Sequence, residues 1–265
     1  MSGRNPHEIW DETVDEGERR LTRGAGGLLS TGALGGVDVM LGVMALAVVS
    51  GGLGEVLPES VAHLGGSLVF GIGLVLVVIG RSELFTENFL VPVGAVLQRR
   101  VRASALPRLW GFTMAGNLIA MAILSLVLTQ AGLVPPEALE AAGRMSDTFA
   151  ERDWLGAGLS AVVAGTVMTL FTWLTHAVEH DSARILIALL IGFLLAAPSL
   201  NHAIVGFGEM AFGVMAGTTE SAGWGDIAQN FPIAVAGNLL GGLGFVTLTR
   251  ILQVRGEPAH DPTAG

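Results

Sequence analysis

Polar and apolar positions divide this chain into six long apolar stretches with polar connections: residues 28–50, 61–97, 107–131, 154–177, 183–217 and 228–252. One bilayer crossing takes about 20 residues at 1.5 Å each. Stretches 61–97 and 183–217 are far longer than that, and each carries one polar knot. The first is GRSELFTENFL at 80–90; the second is PSLNHAIVGFGEM at 198–210. Each stretch therefore predicts a single membrane element kinked in the middle, with a half-helix on either side. Backbone freed by such a break is tolerated at membrane depth only where protein buries it or it lines a cavity. Paired broken helices in two halves of a chain point to a transport site. The pattern predicts an all-α membrane protein with six transmembrane helices, the second and fifth broken, acting as a carrier or channel.

A repeat supports the two halves. Ala115-Gly116-Asn117-Leu118 recurs as Ala236-Gly237-Asn238-Leu239 in the span after each break. Three crossings per half is an odd number, so the halves are expected to be inverted, a 3+3 repeat. Arginine sets the orientation. Eleven lie in the N-terminal segment, the 98–108 connection, the tail and at Arg184, against Arg144 and Arg152 on the other side, with Arg81 inside the first break. Both termini are expected in the cytoplasm. Residues 1–27 then form a polar N-terminal helix, capped by Asn5 with Pro6 in its first turn. It lies either on the membrane surface or against the pore mouth. Residues 28–252 form the transport domain, and 253–265 a disordered cytoplasmic tail.

Composition narrows the class. The chain is 51% hydrophobic and only 14% charged, where soluble domains carry about 25% charge. It has no cysteine, which excludes disulfides and thiolate metal sites, and no metal or cofactor is expected. A net charge of −9 offers no surface for nucleic acid. An intramembrane hydrolase would need a serine nucleophile beside a histidine, and no GxSG-type stretch pairs with His202. The chain is not expected to be an enzyme.

The chemistry concentrates at the breaks. His202 begins the second half-helix, and a half-helix restarts after Thr86 in the first break. Two N-terminal helix ends facing one cavity favour a small anion without any full positive charge. The same dipoles and desolvation disfavour an imidazolium, so His202 is expected neutral, able to donate a hydrogen bond or exchange a proton with a weak acid. The Thr86 hydroxyl either caps its helix or donates to a ligand or to His202. Asn117 and Asn238 read as braces for the broken backbone, Asn238 also as a pore group. Arg81 and Glu83 are expected to pair, joined by Glu87. Asp38 and Glu209 are intramembrane acids, either proton relays or local structural partners. Phe70-Gly71-Ile72-Gly73-Leu74 suits a dry constriction or ordinary helix packing.

These residues resemble the formate/nitrite transporter family over residues 28–252. The carrying motifs are Phe70-x-x-x-Leu74, Leu84-Phe85-Thr86, Asn201-His202 and Gly237-Asn238-Leu239-Leu240-Gly241-Gly242. The longer RSELFTEN with NHAIVGFGE is similar to the YfdC-like branch. The resemblance implies an aquaporin-like fold, a homopentamer with one pore per protomer, and passage of formate, nitrite or related weak acids. It implies Phe70, Leu74, Leu84 and Phe85 at apolar constrictions, Thr86 against the central His202, and Asn201 and Asn238 at the substrate path. The chain departs from the family where Phe149 and Gly165 replace a common Lys and Asn of the fourth span, and where Leu195 replaces a common Phe at the constriction.

The expected partners are a small anion or weak acid, protons, the bilayer and further copies of the chain. The expected site is a bacterial cytoplasmic membrane. A hydrosulfide or neutral-solute pore and a non-transporting membrane sensor are the alternatives, the first favoured by the missing Lys.

Overall fold

A computed structural model describes residues 4–130 and 132–257, and the described residues contain helices and turns but no strand. The helices are α1 (Pro6–Thr22), α2 (Ala25–Gly54), α3 (Glu59–Gly80), α4 (Val91–Leu97), α5 (Ala105–Leu128), α6 (Pro136–Ala150), α7 (Trp154–Ala177), α8 (Asp181–Ala196), α9 (Ala203–Ala216), α10 (Trp224–Leu239) and α11 (Leu248–Gly256). A 3-10 turn, Phe85–Phe89, precedes α4, and a π-helical segment, Leu240–Thr247, joins α10 to α11. Five helices are long and apolar enough to cross a membrane: α2, α3, α5, α7 and the continuous rod 224–256. Large apolar side chains such as Leu34, Leu68, Ile123, Leu159 and Phe245 stand exposed on them, as a lipid-facing surface requires.

The apolar core is small-residue packing. Gly71 of α3 meets Gly192 of α8 so closely that a Cβ on Gly192 would lie 2.3 Å from the Gly71 Cα. The other long contacts, α2 with α3 and α5, and α7 with α10, also place glycine against backbone. This is how helices associate where lipid removes the hydrophobic drive.

Three findings differ from the sequence reading. The connection 132–153 contains α6, whose buried face is Ala138, Ala141, Ala142, Met145 and Phe149 at helical spacing, packed against α9. Its apolar residues are mostly alanines, so it does not register as an apolar run. The tail expected from residue 253 is still helical to Gly256, because α11 continues the last rod; residues 258–265 lie outside the described residues. Helix α5 ends at Leu128 rather than 131, and Ala131 lies outside the described residues.

Of the two positions open to the N-terminal helix, α1 takes the one against the protein. Asn5 and Glu8 form a capping box, with Pro6 at the start. Ile9, Trp10, Val14 and Leu21 are buried with Leu90, Leu109 and Trp173. Gly17 rests on the α4 backbone, where a Cβ would come within 2.2 Å of the Val91 oxygen.

Asp147 pins the connection between α9 and α10. Its carboxylate accepts from the amides of Glu220, Ser221 and Ala222 and from the Ser221 hydroxyl, at 2.8–3.0 Å. Burial pushes its pKa up, and the four hydrogen bonds outweigh that and hold it below the usual value. A depressed folded pKa gives stability that is complete above about pH 4 and is lost as pH falls through the folded value. Protection of the amides at 220–222, relative to intrinsic exchange at each pH, is expected to fall on acidification below that point. In Asp147→Asn that fall should vanish, because protection is already low at neutral pH; pH-independent protection in the parent would refute the clamp.

Candidate functional site

Helix α3 stops where Arg81 turns into a left-handed conformation (φ 59°). The chain then crosses 82–84 without helix before the 3-10 turn, and Ser82 anchors it by donating to Asp38 of α2 at 2.6 Å. The second interruption lies between α8 and α9, with Ser199 left-handed (φ 49°). One asparagine braces each. The Asn117 side chain accepts from the Phe85 amide (2.9 Å) and donates to the carbonyls of Gly32 (2.7 Å) and Glu83 (2.9 Å). Asn238 accepts from the Ala203 amide (2.9 Å) and donates to the carbonyls of Ala161 (2.8 Å) and Asn201 (3.0 Å). The duplicated AGNL thus performs one structural task twice, satisfying backbone that the interrupted helices leave open.

The two interruptions meet through Thr86 and His202. The Thr86 hydroxyl lies 2.7 Å from His202 Nε2, and both residues are fully buried. His202 is also the N-cap of α9, its Nδ1 accepting from the Val205 amide at 3.0 Å. An accepting Nδ1 carries no proton, so the network assigns the proton to Nε2, which donates to Thr86. The imidazole is therefore held neutral by its own cap. The expectation of open helix ends needs correction. The amides of Leu84, Phe85, Ala203 and Val205 are already bonded to Glu87, Asn117, Asn238 and His202. The first break also restarts as a 3-10 turn rather than an α-helical end.

Phe70, Leu74, Leu84, Phe85 and Leu195 are all buried and belong to one apolar cluster with Ile204 and Phe171. A cavity of about 610 Å³ opens at one end of α3, lined by His63, Arg144, Arg152 and Ser199. Another of about 470 Å³ opens at its other end, lined by Arg20, Arg81, Glu83, Glu87 and His176. His63 and Val77 on α3 line opposite cavities about 21 Å apart along the helix, and Phe70 and Leu74 lie between them.

The acids and cations fall differently from expectation. Arg81 does not pair with Glu83: its left-handed backbone carries it away, and it is exposed. Glu83 instead binds Arg23 at 2.5 Å and Arg20 at 3.6 Å, both from the end of α1. Arg20 also donates to Asn88 at 3.0 Å. Burial opposes the Arg20 charge, but Glu83, Glu16 and Glu87 outweigh it and raise its pKa above the usual guanidinium value. Glu87 caps the 3-10 turn through the Leu84 amide at 3.0 Å. Asp38 serves Ser82 and is half-buried. Glu209 is buried on α9; among the described residues no hydrogen bond joins its side chain to His202.

Of the departures, Gly165 packs where a Cβ would sit 2.2 Å from the Asn238 oxygen, so no asparagine fits there. Phe149 is buried with the Arg152 guanidinium 5.2 Å over its ring. Arg152 donates to Ser160 Oγ at 3.3 Å, and that hydroxyl accepts the Asn201 amide at 3.0 Å. Sequence reasoning missed His63, whose Nε2 is 3.1–3.2 Å from the carbonyls of Ala196 and Ala197. Those acceptors claim the Nε2 proton, so His63 cannot serve as a base for Ser199 Oγ, 3.5 Å away. It also missed Asn230, whose amide pairs with Asn201; a polar residue two turns before Asn238 in an apolar span was the available signal.

The sequence model of the formate/nitrite transporter family matches residues 7–252. The chain is 26% identical to the inner membrane protein YfdC of Escherichia coli (strain K12) over 257 residues, covering 95% of this chain and 80% of that one. It is 25% identical to the formate channel BtFdhC of Bacillus thuringiensis over 256 residues, covering 93% and 94%. A pentameric formate channel solved with formate bound superposes with a TM-score of 0.71 at 22% identity, over 86% of this chain and 97% of that one, which shows a shared fold.

Proposed function

Because this chain belongs to the formate/nitrite transporter family and is a multi-pass membrane transporter or channel, we propose that it passes small monovalent anions as weak acids, formate foremost. The observation that carries this reading is the Thr86–His202 contact at 2.7 Å, set between two apolar-flanked interruptions and between two polar cavities. In this reading the chain makes six crossings, α3–α4 and α8–α9 being the broken second and fifth, in an inverted 3+3 arrangement braced by Asn117 and Asn238. Four copies more complete a homopentamer with one pore each, as the pentameric channel of the same fold supports. The arginine-rich face with α1, Arg99, Arg100 and Arg108 is cytoplasmic, and the membrane is the bacterial cytoplasmic one.

Charge decides the mechanism. Moving a bare carboxylate through the cluster of Phe70, Leu74 and Leu195 costs far more than moving its neutral acid. Arg152 draws the anion into the outer cavity. The neutral His202 ring and Thr86 hydroxyl then offer hydrogen bonds at the narrowest part, where the substrate takes a proton from bulk water through the cavity and passes uncharged. The His202 cap on Val205 keeps the ring from binding that proton permanently and trapping the anion beside it.

The test is flux into liposomes of formate, nitrite, acetate, lactate and hydrosulfide at pH 5.5 and 7.5. Formate uptake is expected at both, faster at pH 5.5 by roughly the rise in neutral acid or in protons available. Absence of flux for any small anion at either pH would sink the proposal and favour a sensor. Hydrosulfide flux that formate fails to compete would favour the neutral-solute pore.

A further inference from the structure

The two braced interruptions correspond residue by residue but differ in one side chain. Glu83 and Asn201 each lie two positions before the amide accepted by their brace, and each gives its carbonyl to that brace. At Glu83 the side chain is a carboxylate held by α1 arginines, with Oε2 buried and without a partner. At Asn201 it is a neutral amide whose bonding is complete. Asn201 Nδ2 donates to Asn230 Oδ1 at 2.8 Å and to the Ala157 carbonyl at 3.1 Å, and Asn230 Nδ2 donates back to Asn201 Oδ1 at 3.0 Å. The Asn201 backbone amide is bound by Ser160, and its carbonyl by Asn238.

The next residue is His202. Its amide closes a tight turn onto the Leu200 carbonyl at 2.8 Å, so the ring's direction depends on the orientation of the 201–202 peptide. We propose that Asn230 is a positioning residue for permeation, aiming His202 at Thr86 through its two-way amide pair with Asn201. This rests on the weak-acid reading above for its effect on flux, but the geometry stands apart from it. The titratable and charged groups around Asn230 are Asp226 on its own helix and Arg152 across a cavity of about 100 Å³, with Glu209 buried on α9.

Three variants in the intact oligomer test the idea. Asn230→Leu keeps the volume and removes both hydrogen bonds to Asn201, together with the weak one from Asn230 Nδ2 to Met210 Sδ at 3.7 Å. Asn230→Asp restores the pair only when its acid is protonated, since a carboxylate cannot donate to Asn201 Oδ1. Asn230→Gln retains donor and acceptor on a longer arm. Maximal formate flux relative to the parent is expected to fall about tenfold in Asn230→Leu, the effect of losing a buried pair, with KM changed little. It should recover in Asn230→Asp as pH falls from 9 to 5, and partly in Asn230→Gln at all pH values. Parent-like flux in Asn230→Leu, or Asn230→Asp matching Asn230→Leu at pH 5, overturns the proposal.

Ring ¹⁵N shifts of His202 in lipid, assigned by their absence in His202→Asn, give a readout that needs no flux. The parent should show one tautomer with the proton on Nε2, and Asn230→Leu a second population. Identical spectra overturn the inference even if the parent proves inactive; an inactive parent with the expected spectral change would instead count against the weak-acid reading alone.

Discussion

Asn238→Ala is expected to remove a large part of the folded protein's stability and all measurable flux. The Asn238 side chain is fully buried and satisfies three backbone groups at once: the Ala203 amide and the carbonyls of Ala161 and Asn201. Alanine leaves all three without a partner in a place where lipid and protein, not water, surround them. Each such group costs about 1–3 kcal/mol, and partial relaxation still leaves a loss of roughly 3–5 kcal/mol, large against a typical total. Asn238→Asp is a sharper version. It keeps the acceptor for Ala203 but turns an oxygen towards the two carbonyls, so it should be as damaging as alanine. Asn117→Ala should behave alike at the other interruption, where the Phe85 amide and the carbonyls of Gly32 and Glu83 are stranded. Thermal unfolding of the detergent-purified protein, followed by size-exclusion chromatography, reads both. A melting temperature equal to the parent's in Asn238→Ala would show that the brace is not needed.

Apolar length and its polar interruptions carried the arrangement of helices, because membrane helices are selected for continuous hydrophobicity and a knot inside one is conspicuous. The boundaries of α7 in the structure, Trp154–Ala177, coincide with the apolar stretch. Repetition carried the braces: AGNL appears twice because the same backbone problem is solved twice. Side-chain pairing across distant segments was not legible. Proximity in sequence pairs Glu83 with Arg81, whereas its partners Arg20 and Arg23 lie about 60 positions away, in the last turn and at the C-cap of α1. Nothing local encodes that α1 folds against α4, since its docking rests on Gly17 being small and on the outlines of Trp10 and Val14. Helix α6 escaped for a related reason. Its buried face is made of alanines that matter only because α9 approaches closely, as at Gly213, where a Cβ would lie 2.4 Å from the Ala142 oxygen. Asn230 was visible as a polar residue in an apolar span, but its meaning lay in Asn201, which only the fold brings to it.

His202→Asn separates the chemistry from the architecture. Histidine here has two tasks: Nδ1 caps α9 through the Val205 amide, and Nε2 meets Thr86. Asparagine is among the best N-cap residues, so its Oδ1 can take over the first task and keep α9 in place. Its side chain is too short to reach Thr86 from the same backbone position, so the second task is lost. Assembly and melting temperature should therefore stay near the parent's. Formate flux should fall by at least about tenfold, the scale of one well-placed hydrogen bond at a desolvated transition point. The pH profile should also flatten, because the group that tunes proton exchange with the passing acid is gone. His202→Ala makes the control: it loses the cap as well, and its stability should drop by about 1 kcal/mol more than that of His202→Asn. Flux and pH dependence in His202→Asn that both match the parent would place the rate-determining contact elsewhere, and the apolar cluster around Phe70 and Leu74 would then be the barrier that sets the rate.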